Sequence, residues 1–371
     1  MPEAGAREGA GAASAPSRAG SHVRDKLNAR IEAVLVPLLE DKSERICIID
    51  PPGHPNVGDS AILLGELDFI ARRFPRARLS FYDVDSYSPA ADRFIDQATV
   101  LLIHGGGNFG DIWPRHHELR MRILRRFPHK TVIQMPQSIH FDKEVGVAET
   151  AAAIAGHRGF TLIARDERSR AFAERCFACP VLLAPDMAFA MKPIYPTAPR
   201  SDYFCLFRTD KEAVVDCTSA LAVLRRSGAA SVEVSDWLQE TKTLATALDL
   251  RLGWRTKANP ATTALLRPAM MWLRRRHAEK RLAYGIELLS RGRTVVADRL
   301  HAHILCCLLG RPHFFFDSYD GKISAFFETW TRAYGPAAAA LVASPAELAA
   351  RIASARPLRD PASARADCGR E

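Results

Sequence analysis

No run of apolar residues in this 371-residue chain approaches the ~20 needed to cross a bilayer as a helix. The opening segment, rich in Ala, Gly and Ser, has no apolar core of a secretory signal. Residues 1–22 are expected to form a disordered leader, and the protein to be cytoplasmic. The eight cysteines are scattered, and only Cys176 and Cys179 have C-x-x-C spacing. No second pair or nearby histidine pair completes a zinc site. The pair also closes a helical stretch instead of opening one after a strand, as a redox pair would. The cysteines read as small apolar residues, no cluster of acidic residues has metal-ligand character, and neither a metal nor a cofactor is expected. There is no G-x-S-x-G elbow for a serine or cysteine nucleophile and no repeat of solenoid period.

Basic residues outnumber acidic ones, giving a net charge of +9, which favours nucleic acid, anionic lipid or anionic substrates as partners. No nucleic-acid motif accompanies the charge, so nucleic acid is not expected. The densest cluster is Arg274, Arg275, Arg276, His277, Lys280 and Arg281, behind Met270-Met271-Trp272. It reads as a solvated helix face or as an interfacial patch for a cytoplasmic leaflet.

Strand-like runs alternate with helical ones. Strands are expected at Arg45–Asp50, Arg78–Asp83, Thr99–His104, Thr131–Met135, Phe160–Ile163 and Val181–Asp186. Pro193, Pro196 and Pro199 read as a linker, after which strands recur at Tyr203–Phe207, Ser231–Val234, Arg293–Ala297 and His313–Asp317. The expected fold is α/β: two Rossmann-like, doubly wound domains facing across a cleft, with ligands beyond the carboxyl ends of the strands. The domains would be 23–195 and 200–345, the second with a basic helical insertion at 240–290, followed by a helix and tail at 346–371.

Four strand-end loops carry the polar residues. His54-Pro-Asn-Val-Gly-Asp59 enters a helix; it is either a capped turn or an anion site at the helix N-terminus. Gly105-Gly106-Gly107-Asn108-Phe-Gly-Asp111 does not read as a dinucleotide fingerprint in its usual form and lacks the lysine and Ser/Thr of a Walker loop. Three glycines behind a buried strand still suggest close approach of a ligand to the main chain. Arg165, after the fifth strand, suits bidentate capture of phosphate or carboxylate. In Asp298-Arg299-Leu300-His301, Arg299 and His301 can face one pocket, and imidazole has the right pKa for proton transfer near neutrality. With Lys322 after the last strand, these residues describe a site for a small polyanion and one proton-transfer group.

Taken in order, Asn56-x-Gly58-Asp59, Gly105-Gly-Gly-Asn-Phe-x-Asp111, Pro136-Gln137-Ser138, Arg165-Asp166-x-x-Ser169, Pro185-Asp186-Met187-Ala188, Asp298-Arg-Leu-His301 and Asp320-x-Lys322 resemble the polysaccharide pyruvyl transferase family. Gly107 to Pro114 is most similar to its bacterial exopolysaccharide branch. The resemblance covers roughly residues 45 to 330. It implies a GT-B-like architecture with the site between the domains. It also implies transfer of the enolpyruvyl unit of phosphoenolpyruvate onto two hydroxyls of one sugar, giving a cyclic ketal and phosphate. The acceptor would be a polysaccharide or its lipid-linked precursor, the latter entailing peripheral contact at the inner membrane. Arg165, Arg299, Leu300, His301 and Lys322 match the family's donor-binding segment, with His301 and Arg165 expected to be catalytic. Asn56, Gly58, Asp59, Gly105, Gly106, Gly107, Asn108, Asp111, Gln137 and Ser138 are the expected loop and substrate contacts. The rivals are a GT-B sugar-nucleotide glycosyltransferase of exopolysaccharide synthesis and a non-catalytic binding protein on the same scaffold.

Overall fold

The computed structural model describes residues 18–208, 215–237, 260–334 and 339–354. Expectations placed on 1–17, 209–214, 238–259 and 355–371 lie outside the described residues. They include most of the leader, the start of the helix expected from Lys211, and much of the insertion.

The strands run parallel between helices, the central ones such as Val100–Ile103 and Phe160–Ala164 as short apolar runs buried on both faces. They are β1 (Arg45–Ile49), β2 (Arg78–Tyr82), β3 (Val100–Ile103), β4 (Gly106–Gly110), β5 (Thr131–His140), β6 (Phe160–Ala164) and β7 (Val181–Leu183), then β8 (Ser201–Leu206), β9 (Val232–Ser235), β10 (Gly292–Ala297), β11 (His313–Phe315) and β12 (Ala339–Leu341). The helices are α1 (Arg18–Leu39), α2 (Val57–Arg73), α3 (Asp92–Ile95), α4 (Pro114–Arg126), α5 (Glu144–Ala155), α6 (Glu167–Cys176), α7 (Cys217–Arg226), α8 (Pro260–Ser290), α9 (Leu300–Leu309), α10 (Lys322–Phe326) and α11 (Pro345–Ser354).

Two parallel sheets result. The first has the order β2-β1-β3-β5-β6-β7, with β4 on β5; the second has the order β12-β11-β10-β8-β9. In the first, the chain steps from β1 out to β2 and returns to β3 on the other side. In the second, it steps from β8 to β9 and returns to β10. Each sheet is therefore doubly wound, with its reversal between β1 and β3 or between β8 and β10, and ligands of such sheets bind beyond the strand ends at that point. An apolar cluster runs from the first sheet (Ile46, Ile48) through α2 and the 3-10 turn Met187–Ala190 into the second sheet (Phe204, Val295) and α9 (Leu305).

Four features depart from the sequence reading. Residues 18–22, assigned to the leader, belong to α1. The glycine stretch is not a loop: β3 and β4 run in line along β5, broken only at His104-Gly105. Helices α3 and α5 and strand β12 were not anticipated; α3 is four residues long, α5 is Ala-rich with few buried positions, and β12 is three residues long. The basic cluster on α8 is divided: Arg276 and Lys280 are exposed, next to the exposed Trp272, while other members turn inward. Arg274, His277 and Arg281 are buried. Arg274 pairs with Asp83 and donates to the Pro51 carbonyl at 2.9 Å, and Arg275 pairs with Asp68 at 2.9 Å. A spacing of three and four residues puts these cations on the face that docks against α2. A Cβ at Gly285 would stand 2.3 Å from a Val57 methyl, so the two helices touch closely. No helix among the described residues is long and apolar enough to cross a membrane.

Candidate active site

The first sheet's reversal carries most of the polar groups. After β1, Asp50 adopts φ 64 and its Oδ2 lies 2.7 Å from His116 Nδ1. Pro51-Pro52-Gly53 then turns the chain into α2. Asn56 is the N-cap, its side chain accepting from the Gly58 and Asp59 amides at 2.8 and 3.4 Å, so its carboxamide is spent on starting the helix. Asp59 Oδ2 lies 2.8 Å from His54 Nε2. Burial alone would raise the Asp59 pKa; His54, His301 and His104 together hold it well below the usual carboxylate range.

At the end of β3, His104 Nδ1 lies 2.9 Å from Glu66 Oε2, and the Gly105 amide donates to Glu66 Oε1 at 3.1 Å. The glycines are required first by the protein itself. A Cβ at Gly105 would stand 2.7 Å from the Pro136 carbonyl oxygen. One at Gly110, where φ is +129, would stand 1.6 Å from that of His140. Gly107 differs: its open side faces the Arg165 guanidinium at 3.2 Å and Lys322 Nζ at 3.9 Å. Glycines 105, 107 and 110 do stand at G-x-G-x-x-G spacing, which corrects the sequence reading. What sets the stretch apart from a dinucleotide loop is that it continues as strand β4 and does not open a helix. Asn108 Oδ1 accepts from Arg120 Nη2 at 2.7 Å and from Gln137 Nε2 at 2.9 Å.

Arg165 follows β6 and is 1% exposed. Its Nε donates to Ser138 Oγ at 2.8 Å and its Nη1 to Asp186 Oδ2 at 2.8 Å. Ser138 in turn donates to Asp166 Oδ2 at 2.6 Å. Two groups of the second half complete this cluster. Trp330 Nε1 donates to the Arg165 carbonyl at 2.8 Å, and His301 Nε2 stands 3.4 Å from Asp186 Oδ2. The His301 ring is pressed from the other side by Gly58, where a Cβ would come within 2.3 Å of Nδ1. Burial would raise the Asp186 pKa, but the His301 and Arg165 charges and the Ala188 amide bring it down to about 2. Lys322 Nζ lies 3.2 Å from Asp320 Oδ2. Two buried polar atoms of this region, His104 Nε2 and Gln137 Oε1, have no protein hydrogen-bond partner, which in a native fold calls for an explanation such as a ligand.

The second sheet's reversal is filled differently. The Arg208 amide donates to both oxygens of Asp298, at 2.9 and 3.1 Å. Burial lifts the Asp298 carboxyl to about 6, against the opposing pull of that amide and of Arg299. Arg299 Nη2 bonds both oxygens of Asp236, at 3.0 and 3.1 Å, and Leu300 packs in the apolar core. His303, Cys307 and His313 are the one His/Cys group among the described residues close enough to share a metal ion. Hydrogen bonds already account for the ring nitrogens. Thr331 Oγ1 donates to His303 Nε2 (2.7 Å), His303 Nδ1 to His313 Nε2 (2.8 Å), and His313 Nδ1 to the Arg311 carbonyl (2.8 Å).

Of the residues singled out in the sequence, Gly58, Asp59, Gly106, Gly107, Gln137, Ser138, Arg165, His301 and Lys322 come together at the first reversal. Asn56 and Asn108 brace it. Asp111 lies apart, its carboxylate accepting from the Asp142 and Lys143 amides at 2.8 and 2.9 Å. Arg299 and Leu300 belong to the second sheet's own packing. The sequence reading missed Asp186, His54, His104 and Glu66 as site residues. Asp186 was signalled by its place at a strand's carboxyl end; Glu66, inside a helix, had no signal.

Comparison with known proteins places the chain as a whole. Residues 56–320 match the sequence profile of the polysaccharide pyruvyl transferases. The chain is 31% identical over 301 residues to pyruvyl transferase 1 of Schizosaccharomyces pombe, covering 77% of this chain and 70% of that one. It is 29% identical over 296 residues to the putative pyruvyl transferase EpsO of Bacillus subtilis, covering 78% and 86%. A crystal structure of a functionally uncharacterized Klebsiella pneumoniae protein superposes with a TM-score of 0.52 at 18% identity, covering 86% of this chain and 99% of that one. This last likeness concerns the fold alone.

Proposed function

The chain belongs to the polysaccharide pyruvyl transferase family, and from that premise we propose that it uses phosphoenolpyruvate as donor, closing a pyruvate ketal across two hydroxyls of one sugar and releasing phosphate. The acceptor is a polysaccharide of the exopolysaccharide kind or its lipid-linked precursor. The observation that carries the reading is that Arg165 and Lys322 face the side-chain-free side of Gly107, while His301 meets Asp186, the carboxylate that Arg165 also holds. A donor with both phosphate and carboxylate needs several fixed cations in a water-poor site. Arg165 and Lys322 supply two at Gly107, and Arg299 joins them by exchanging Asp236 for a donor oxygen.

His301, held between Gly58 and the ionised Asp186, is the proton donor to C3 of the enol ether. Protonation makes C2 electrophilic, one sugar hydroxyl attacks it, phosphate leaves, and the second hydroxyl closes the ring. The scheme draws on side chains alone. The two sheets act in it as two Rossmann-like halves, 23–195 and 200–345, in GT-B fashion. The enzyme works in the cytoplasm, at the inner membrane face when the acceptor is lipid-linked. A sugar-nucleotide glycosyltransferase is not favoured, because the family match is to pyruvyl transfer.

The deciding experiment incubates the protein with phosphoenolpyruvate and an oligosaccharide precursor fraction, following phosphate release and the mass of one ketal. His301→Gln should lower turnover by ~10²–10⁴-fold with the fold intact. Nucleotide release from a sugar nucleotide, or a His301→Gln rate near that of the parent, would overturn the scheme.

A further inference from the structure

Closing a ketal removes a proton from each of two hydroxyls. One of the two is balanced by the proton added at C3 of the donor and the other by the proton carried off on phosphate. His301 serves the first. Resting on the reading above, we propose that His54, oriented by Asp59, is a second catalytic base, which takes a proton from an acceptor hydroxyl and returns it to the departing phosphate. In this step the hydroxyl O–H bond breaks, the oxygen lone pair forms the bond to C2, and the C2–O bond to phosphate breaks with its electron pair on the phosphate oxygen.

Three observations place His54 in that role. It sits on the loop between β1 and α2, at the first sheet's reversal, four residues before Gly58, which packs on the His301 ring. Its Nε2 is committed to Asp59 Oδ2 at 2.8 Å. This carboxylate–imidazole pairing fixes the ring orientation and leaves Nδ1 as the atom to meet a hydroxyl. And the His54 side chain is 48% exposed while that of His301 is 12% exposed. The open imidazole suits a bulky saccharide, and the enclosed one suits a three-carbon donor.

Asp59 joins the two. It holds His54 directly, and His301 is among the charges that keep it ionised. Its Oδ1 also lies 3.7 Å from where a Cβ of Gly106 would be. The groups facing His54 are Asp59, Asp50 and Arg281, with the His116 ring centred 6.0 Å away. Burial lowers the His54 pKa, but the hydrogen bond and charge of Asp59 raise it further, making the ring a better proton acceptor. His116 is already paired with Asp50 at 2.7 Å, and His104 is buried against Glu66.

The test compares the parent, His54→Gln and His116→Gln for ketal formation, with phosphoenolpyruvate affinity measured separately by calorimetry. His54→Gln should lower kcat by ~10²-fold or more, leave donor Kd within about twofold and thermal midpoint unchanged, lose the acid limb of the pH–rate profile, and recover partly with added imidazole. His116→Gln should stay within about threefold of the parent. A His54→Gln kcat near the parent's, an equal loss of donor affinity, or a His116→Gln loss larger than that of His54→Gln would overturn the assignment while ketal formation by the parent still stands. If the parent forms no ketal at all, the functional reading itself fails and takes this assignment with it.

Discussion

Between β1 and β3 the first sheet presents Asp50, His54, Asp59 and His104, with Arg165 and Asp186 from strands further along. At the equivalent reversal between β8 and β10, Asp298 is bonded to the Arg208 amide and Arg299 to Asp236. Both sheets are wound alike, so topology alone offers two equivalent ligand positions. The difference lies in what each loop does with its charges. The first sheet leaves imidazoles half-paired and faces glycines toward them. The second satisfies its carboxylates with backbone and arginine, and sends His301, Lys322 and Trp330 toward the other cluster. A fold supplies candidate positions; the pairing of side chains decides which is used.

The largest effect that sharpens this contrast comes from removing each arginine in turn. Arg165→Ala leaves buried Asp186 with only the His301 ring beside it in place of its guanidinium pair, which should cost ~3–5 kcal/mol of stability and raise donor Kd by ~10²-fold. Arg299→Ala should raise donor Kd only by about tenfold, because binding through Arg299 already forfeits the Asp236 pair. Urea unfolding and donor titration measure both. Equal losses of donor affinity would erase the distinction between the two reversals.

A smaller, purely geometric effect is expected from Gly58→Ala. Alanine is a better helix former than glycine, so α2 should not weaken. The new methyl would nevertheless stand 2.3 Å from His301 Nδ1 and 2.8 Å from its Cβ, and the ring must move. A displacement of about 1 Å in a catalytic group costs ~10²-fold. The expected result is a fall of that order in kcat with an unchanged thermal midpoint. Normal turnover in Gly58→Ala would mean that the His301 position seen here is not the working one.

Much of this was legible in the sequence because parallel strands announce themselves. Runs such as Val100–Ile103 and Val295–Ala297 are apolar on both faces. The polar residues at their carboxyl ends stand out against them, which is how Arg165 and His301 were found. What stayed hidden was pairing over long separations. Nothing local marks Glu66, in the middle of α2, as the partner of His104 across 38 positions. Nor does anything local say that Arg274 will be spent on Asp83 and the Pro51 carbonyl instead of a membrane. The glycine stretch was misread for a related reason. Its glycines are needed for packing on β5 as well as for the approach of Arg165, and sequence does not separate a main-chain neighbour inside the protein from one outside it. Arg299 and Leu300 share a motif with His301, yet only His301 points at Asp186, because successive residues at the start of α9 diverge around the helix axis.

A further predicted effect, on stability alone, tests the claim that the second reversal is a structural closure. The Asp298 carboxyl titrates at about 6 in the folded chain, chiefly through burial, against an ordinary value of 3.8. The folded state therefore binds the proton more readily than the unfolded state between those values. Its contribution to stability is fully present below pH ~4 and is lost as the pH rises through about 6, amounting to ~2–3 kcal/mol at 1.36 kcal/mol per unit. The Asp186 carboxyl, brought down to about 2 by His301 and Arg165, works in the opposite direction: its contribution is complete above its ordinary value and is lost as the pH falls through about 2. Urea unfolding of the parent and of Asp298→Asn across pH 4 to 7 separates the two. Asparagine cannot ionise but can still accept the Arg208 amide through its carbonyl. The variant should therefore lack the decline between pH 4 and 6 and gain relative to the parent as the pH rises, with ketal formation little altered. A variant whose stability curve parallels that of the parent would show that Asp298 is ionised throughout, and a large loss of turnover would make the second reversal part of the reacting site.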